Sequence, residues 1–414
     1  GVCYSFAQYW AAIERGRFGQ LSVRARRAAY YFAGSTFRSG KDLVHEVSTA
    51  TIRRLRHAYH WSLIRIGWEF PSSHGDGRVQ TYGFLSSSLN INFQAKQLPM
   101  IYRRLFRLAP VEDPRFLIGR ELEMQALSDA RDLWQSGHAV SVLLVGGRGS
   151  GKTSLLNCAQ LQVFAGTALH RFQIQQRLIN PGAMTAFLRH SRGLPKDADL
   201  LAVLREEPRV IVLEEVERAY LRTIGGMAAI KELLTLIVDT AGRTLWIVAI
   251  NQDAFRLLRA AVRFDEFFSH RIEATSVTAE NIREAILQRH NLSGLRLEFT
   301  TGSRTNTPWD RIRRLIGVEE DPEQAFFRKL FAQSSGLFRS AFELWQRYID
   351  RAEAGTLYIG KPEPPRYQEV LSGLSRVDLF TLQAIVQHGN LTVAEHTEVF
   401  HLNPHESRVR LERL

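Results

Sequence analysis

The stretch Val142 to Leu156 reads VLLVGGRGSGKTSLL. Its opening run, Val142 to Val145, has the length and composition of a buried strand. It leads straight into Gly146-Gly147-Arg148-Gly149-Ser150-Gly151-Lys152-Thr153, which satisfies the phosphate-loop pattern G-x-x-x-x-G-K-[ST]. Ser154 follows at the head of a helix-forming segment. Glycines let a backbone wrap a phosphate with its N–H groups, and a helix N-terminus adds partial positive charge. Lys152 would reach the outer phosphates and Thr153 would place its hydroxyl on Mg²⁺. Strand, loop and helix in this order predict a nucleotide site built from Gly146 through Ser154.

Two further apolar runs lie downstream. Arg209-Val210-Ile211-Val212-Leu213-Glu214-Glu215 ends in paired carboxylates. An inner strand of a parallel sheet is apolar throughout, and ligands bind at its carboxyl end. The pair would emerge beside the loop, where a metal is held and a water activated. Thr244 to Asn251 ends in a lone amide, which can donate and accept at once. The same amide would also suit a cap on the following turn.

Composition narrows the class. With 414 residues, 45% of them hydrophobic and 23% charged, the chain has room for two or three ordinary globular domains. No apolar run has the length of a membrane span and no leader peptide is visible. The two cysteines, Cys3 and Cys158, form neither a disulfide framework nor a metal spacing, which points to a reducing, cytoplasmic setting. The ends at Gly1 and Leu414 suggest a fragment, membrane-associated if a longer protein carries an anchor. Residues 1–110 hold 16 Lys and Arg against 5 Asp and Glu, so almost all of the net charge of +12 belongs to that segment. Its basic clusters stand among aromatics such as Tyr30, Tyr31 and Trp61. They suit nucleic acid, an anionic membrane surface, or a plain solvated face.

Phe116-Leu117-Ile118-Gly119-Arg120-Glu121 precedes an amphipathic helix bearing Met124, Leu127, Ala130 and Trp134 on one face, and the phosphate loop comes after it. This sequence of motifs resembles the AAA+ P-loop ATPases, nearest their initiator-like, transposition-ATPase-like and STAND branches. The resemblance covers residues 111–414. It implies that Ile118, Gly119 and Arg120 line the adenine pocket, that Glu214 orders the Mg²⁺ shell, and that Glu215 polarises the attacking water. The family usually carries Asp at the first of these acidic positions, one methylene shorter. Asn251 is similar to the sensor 1 residue at the γ-phosphate. Arg271, with Arg263 behind it, stands where an arginine finger reaches into a neighbouring subunit. Arg339, in Gly336-Leu337-Phe338-Arg339, resembles the sensor 2 arginine of a helical lid. The STAND branch tends to have Gly-x-Pro at that turn, and this chain does not.

The expected architecture is α/β. Residues 1–110 form a basic region of uncertain fold, and 111–276 form an αβα parallel-sheet ATPase core. Residues 277–355 read as a helical lid interrupted by a polar loop from Thr300 to Trp309. A proline-rich linker spans 356–368. Residues 369–414 hold three helices, over Arg376–His388, Thr392–Phe400 and from Asn403-Pro404 onward, similar to a winged helix–turn–helix with its wing cut away. The implied cofactors are ATP and Mg²⁺. The implied partners are further copies of the chain, double-stranded DNA, a protein effector, or an anionic membrane through residues 1–110. The implied reaction is in-line attack of water on the γ-phosphate. The alternatives are a STAND-like regulatory switch with slow turnover and a membrane-tethered ATPase.

Overall fold

The computed structural model describes residues 98–274, 277–299, 321–360 and 373–414. The expectations for residues 1–97, for the polar loop and for the linker's proline run lie outside these. The chain enters through α1 (Met100–Leu105) and α2 (Glu121–Gln135). Five strands then form one parallel sheet: β1 (Ser141–Gly146), β2 (Leu169–Gln173), β3 (Arg209–Glu214), β4 (Thr244–Asn251) and β5 (His270–Ala274). Their order across the sheet is β2-β3-β4-β1-β5. β1, β3 and β4 are buried from end to end, which is why they read as continuous apolar runs.

Alternate residues of these strands supply two cores. Leu143, Ile211, Trp246 and Val248 face α4 (Ala183–Ser191), α5 (Leu200–Glu206), α6 (Ala228–Thr240) and α7 (Gln252–Val262). Val142, Leu144, Val212 and Ile247 face α2 and α3 (Lys152–Gln162), through Leu127, Ala130, Leu155 and Ala159. The five-stranded sheet between these helical layers is the fold of a P-loop NTPase. Its inner strands all deliver their carboxyl ends to the same edge.

A third core gathers the next elements. α8 (Ala279–Asn291) opens on a capping box between Thr278 and Asn281. α9 (Pro322–Ser334) follows, and Ser335 and Gly336, both at positive φ, turn the chain into α10 (Phe338–Arg347). The helical reading of 277–355 is corrected here. β6 (Arg296–Phe299), β7 (Ile349–Glu353) and β8 (Thr356–Ile359) make a small sheet in the order β6-β8-β7. β8 pairs with both neighbours, so this compact piece continues through Ile359 instead of stopping at 355. It also takes in α1. Tyr102 and Phe106 are buried with Ile282, Ile286, Phe327 and Trp345, so residues 98–106 pack with the lid.

The last three helices, α11 (Arg376–His388), α12 (Val393–Phe400) and α13 (Pro404–Arg413), match the expected elements. Ser375 and Thr392 each begin a capping box, and Asn403 caps α13 ahead of Pro404. Arg413 reaches back to the buried Asp378 of α11.

Candidate nucleotide-binding site

A cavity of about 190 Å³ opens at the carboxyl edge of the sheet, between the phosphate loop, the lid and the end of α11. The loop is shaped by its glycines. Gly149 and Gly151 sit at φ 76° and 94°, where a side chain would be strained. A Cβ on Gly146 would lie 2.6 Å from Ser150 Oγ. Lys152 Nζ donates to the carbonyls of Gly146 (2.8 Å) and Gly147 (3.1 Å), so the ammonium is folded over the loop. Ser154 Oγ accepts from the Val111 amide at 2.9 Å, and Asn157 Nδ2 donates to the Val111 carbonyl at 2.8 Å. These two bonds pin the entering strand of chain against α3.

The paired carboxylates arrive as β3 ends. Thr153 Oγ1 donates to Glu214 Oε2 at 2.8 Å, which joins the loop hydroxyl to the first carboxylate. Both are oxygen donors of the hard kind that Mg²⁺ takes, so the residues present fit the ion. Glu214 Oε1 accepts from Arg171 Nε at 2.6 Å. Glu215 stands in the left-handed region, φ 56°, and its carboxylate is held by Gln173 Nε2 (2.6 Å) and Arg218 Nε. Arg171 and Gln173 are two apart on β2 and so share a face of that strand. They escaped the sequence reading, although alternating polar residues in an otherwise strand-like LHRFQ were the signal.

The other predicted residues divide. Arg339 reaches the loop from the lid: a Cβ on Gly149 would lie 2.8 Å from Arg339 Cβ, and burial pulls the Arg339 pKa down. Ile118 and Arg120 line the cavity. Arg120 donates to the Ser150 carbonyl at 2.7 Å and to Glu123 at 2.5 Å, so its guanidinium braces the loop. Gly119 does not line the cavity. It takes φ 65° and lies so close to Asn281 that a Cβ would meet that side chain at 2.7 Å. Asn251 lines the cavity too. Its Oδ1 accepts from the amides of Asp253 and Ala254 at 2.7 and 3.0 Å, making it the N-cap of α7. Arg271 lies away from the cavity on β5, paired with Glu273 at 3.1 Å and 43% exposed. Arg263 is an exposed residue beside Glu266.

The far wall is the end of α11. Arg148, at one of the four unspecified positions of the loop pattern, donates to the Gly389 carbonyl at 2.7 Å, and burial draws its pKa down to about 10. Asn251 Nδ2 donates to the Val386 carbonyl (3.3 Å) and Tyr220 Oη to that of Gln387 (2.6 Å). Arg177 donates to the carbonyls of His388 (3.2 Å) and Asn390 (2.6 Å), and pairs with Glu395 at 3.0 Å. His388 accepts from the Arg222 amide, and burial pushes its pKa down to about 3, so the ring is neutral.

The sheet and the loop together define a P-loop NTPase core. No family model matches the chain, and no curated protein matches it. Among solved structures it is similar to a Walker-type ATPase of Pyrococcus abyssi, at 14% identity over 58% of this chain and 70% of that one, TM-score 0.38. It is also similar to the Aeropyrum pernix ORC2 protein in its ADPNP–ADP complexes, at 14% identity over 71% and 73%, TM-score 0.40. A third is the Thermotoga maritima RuvB Holliday junction branch migration motor, at 19% identity over 72% and 86%, TM-score 0.36. Likenesses this distant leave the fold to rest on the strand order and the loop themselves.

Proposed function

We propose that the chain binds ATP with Mg²⁺ and hydrolyses it, using the cycle to drive assembly or a conformational change on a partner. The observation that carries this reading is the 2.8 Å bond from Thr153 to Glu214, with Glu215 next in the chain. It supports a metal position between loop and β3, and a base one residue further on. In this reading Lys152 and Arg339 bear on the outer phosphates, and the loop amides hold the inner ones. Gln173 and Arg218 hold the Glu215 carboxylate until a water is in place. Arg271, being exposed on an edge strand, is offered to the site of an adjacent copy. The charge excess of residues 1–110 supports double-stranded DNA as the partner.

Steady-state ATPase assays of wild type and Glu215→Gln, with and without DNA at moderate salt, test the reading. The variant should bind ATP as tightly as wild type and turn over at least about a hundredfold more slowly. Lys152→Ala should lose nucleotide binding. Normal hydrolysis by Glu215→Gln would sink the assignment of the base.

The packing of α11 favours a second reading, a slow nucleotide switch. Four consecutive carbonyls, Val386 to Gly389, accept from donors on the core. Retention of ADP through purification, with negligible turnover in every condition, would select the switch over the motor.

A further inference from the structure

The ion pair between Arg171 and Glu214 is not needed to hold the sheet. β2 and β3 already pair by backbone along their length. Yet the Arg171 guanidinium is fixed from three sides, by Glu214 Oε1 (2.6 Å), Asn157 Oδ1 (2.6 Å) and the Thr153 carbonyl (3.4 Å). Asn157 is itself tied to the Val111 carbonyl, so the fork has little freedom. Both oxygens of Glu214 are thereby engaged, one by Arg171 and one by Thr153. The carboxylate is 9% exposed and the arginine 22%, so solvent screens the pair only in part.

Mg²⁺ demands six oxygens in near-octahedral array and gives up its waters reluctantly. The protein oxygens that meet each other beside the loop are the Thr153 hydroxyl and a Glu214 carboxylate whose charge Arg171 already balances. Among the described residues no group of three or more His, Cys, Asp or Glu could hold a metal. We infer that Arg171 is a positioning residue for the metal carboxylate. It fixes Glu214 toward Thr153 and lowers the pull of the site on Mg²⁺, so that the ion is held only together with phosphate oxygens. The inference rests on the nucleotide reading above and adds a residue to it.

The test uses the full chain and a fluorescent ADP. Nucleotide affinity is measured in EDTA, and then across a Mg²⁺ titration. Removing the positive charge with Arg171→Met or Arg171→Gln should lower the Mg²⁺ midpoint about tenfold, from the loss of one like charge near a partly buried cation. Affinity in EDTA should stay within about twofold, since Arg171 meets the loop only through the long 3.4 Å bond to the Thr153 carbonyl. Arg171→Lys keeps the charge and should leave the midpoint near wild type. A merely structural ion pair would move both affinities together or neither. An unchanged or raised midpoint in the charge-removing variants, or a Lys variant that shifts with them, overturns the role of Arg171. Wild type that binds no nucleotide in either medium defeats the nucleotide reading itself, and this inference with it.

Discussion

Arg120 is 2% exposed, and a charge that deep is tolerated only because Glu123 and the Ser150 carbonyl meet its donors. Arg120→Ala would strand Glu123, itself 12% exposed, and orphan a loop carbonyl. The expected loss is about 3 kcal/mol, read from urea unfolding, because one member of a buried pair is removed without the other. Nucleotide affinity should fall as well, since the brace under Ser150 goes; intact affinity would show that the loop holds its shape without it. The motif residues themselves were legible because their chemistry is local. Gly149, Lys152 and Thr153 are consecutive or nearly so, and Glu214 and Glu215 close one apolar run. Arg171, Gln173 and the bracing role of Arg120 were not, because the partners that place them in the site, Glu214, Glu215 and the Ser150 carbonyl, lie 30 or more residues away and are met only in the folded chain. Asn251 could be read both as a cap and as a tip residue, and its amide oxygen does serve as the cap.

At the scale of elements, the lid is where sequence and structure part. Its helices announce themselves by caps: Thr278 with Asn281, and Asp321 before Pro322. Its strands do not. β6 and β8 are four residues each and meet across 60 positions of chain, as Arg296 does with Thr356, so no local pattern marks them. α1 was hidden by composition, since Arg103 and Arg104 share a short helix with the fully buried Tyr102. Tyr102 ties that helix to the lid, its hydroxyl accepting from Trp345 Nε1 at 2.8 Å. Tyr102→Phe leaves a buried indole N–H without its acceptor and should cost about 1–3 kcal/mol in a denaturant titration. A change below about 0.5 kcal/mol would mean that the bond is made good by another group. α10 carries a pH dependence of unusual sign. Burial raises the Glu343 pKa from 4.5 to about 8, against the pull of Arg339. The folded chain therefore holds a proton there that the unfolded chain releases near 4.5. This contribution is complete below that value and is lost as pH rises toward about 8. Glu343→Gln should flatten the fall in stability across that window, measured by thermal melts at several pH values. A wild-type curve that does not fall there would contradict it.

At the scale of the whole molecule, the question is what couples the nucleotide cleft to the C-terminal helices. The carbonyl end of a helix carries partial negative charge, and α11 presents that end to Arg148 in the phosphate loop and to Arg177 beside β3. Arg177 is the stronger tie. Its side chain is 9% exposed, and it spans both pieces by donating to Glu217 and Tyr220 on the core side and to His388 and Asn390 on the other. It also pairs with Glu395, whose pKa stays below the usual carboxylate range because Arg177 and Thr392 outweigh its burial. Arg177→Ala would leave that carboxylate and several carbonyls without a donor, while touching nothing on the phosphate loop. The helices α11 to α13 should then lose protection in hydrogen exchange as one unit, and the sheet should keep its own. Opening of this wall should also speed release of a bound fluorescent ADP several-fold, since one side of the cavity is withdrawn. Uniform loss of protection across sheet and C-terminal helices would instead mean that the two fold as one cooperative body. Faster exchange in α11 to α13 with unchanged ADP release would mean that the wall covers the cleft without governing it.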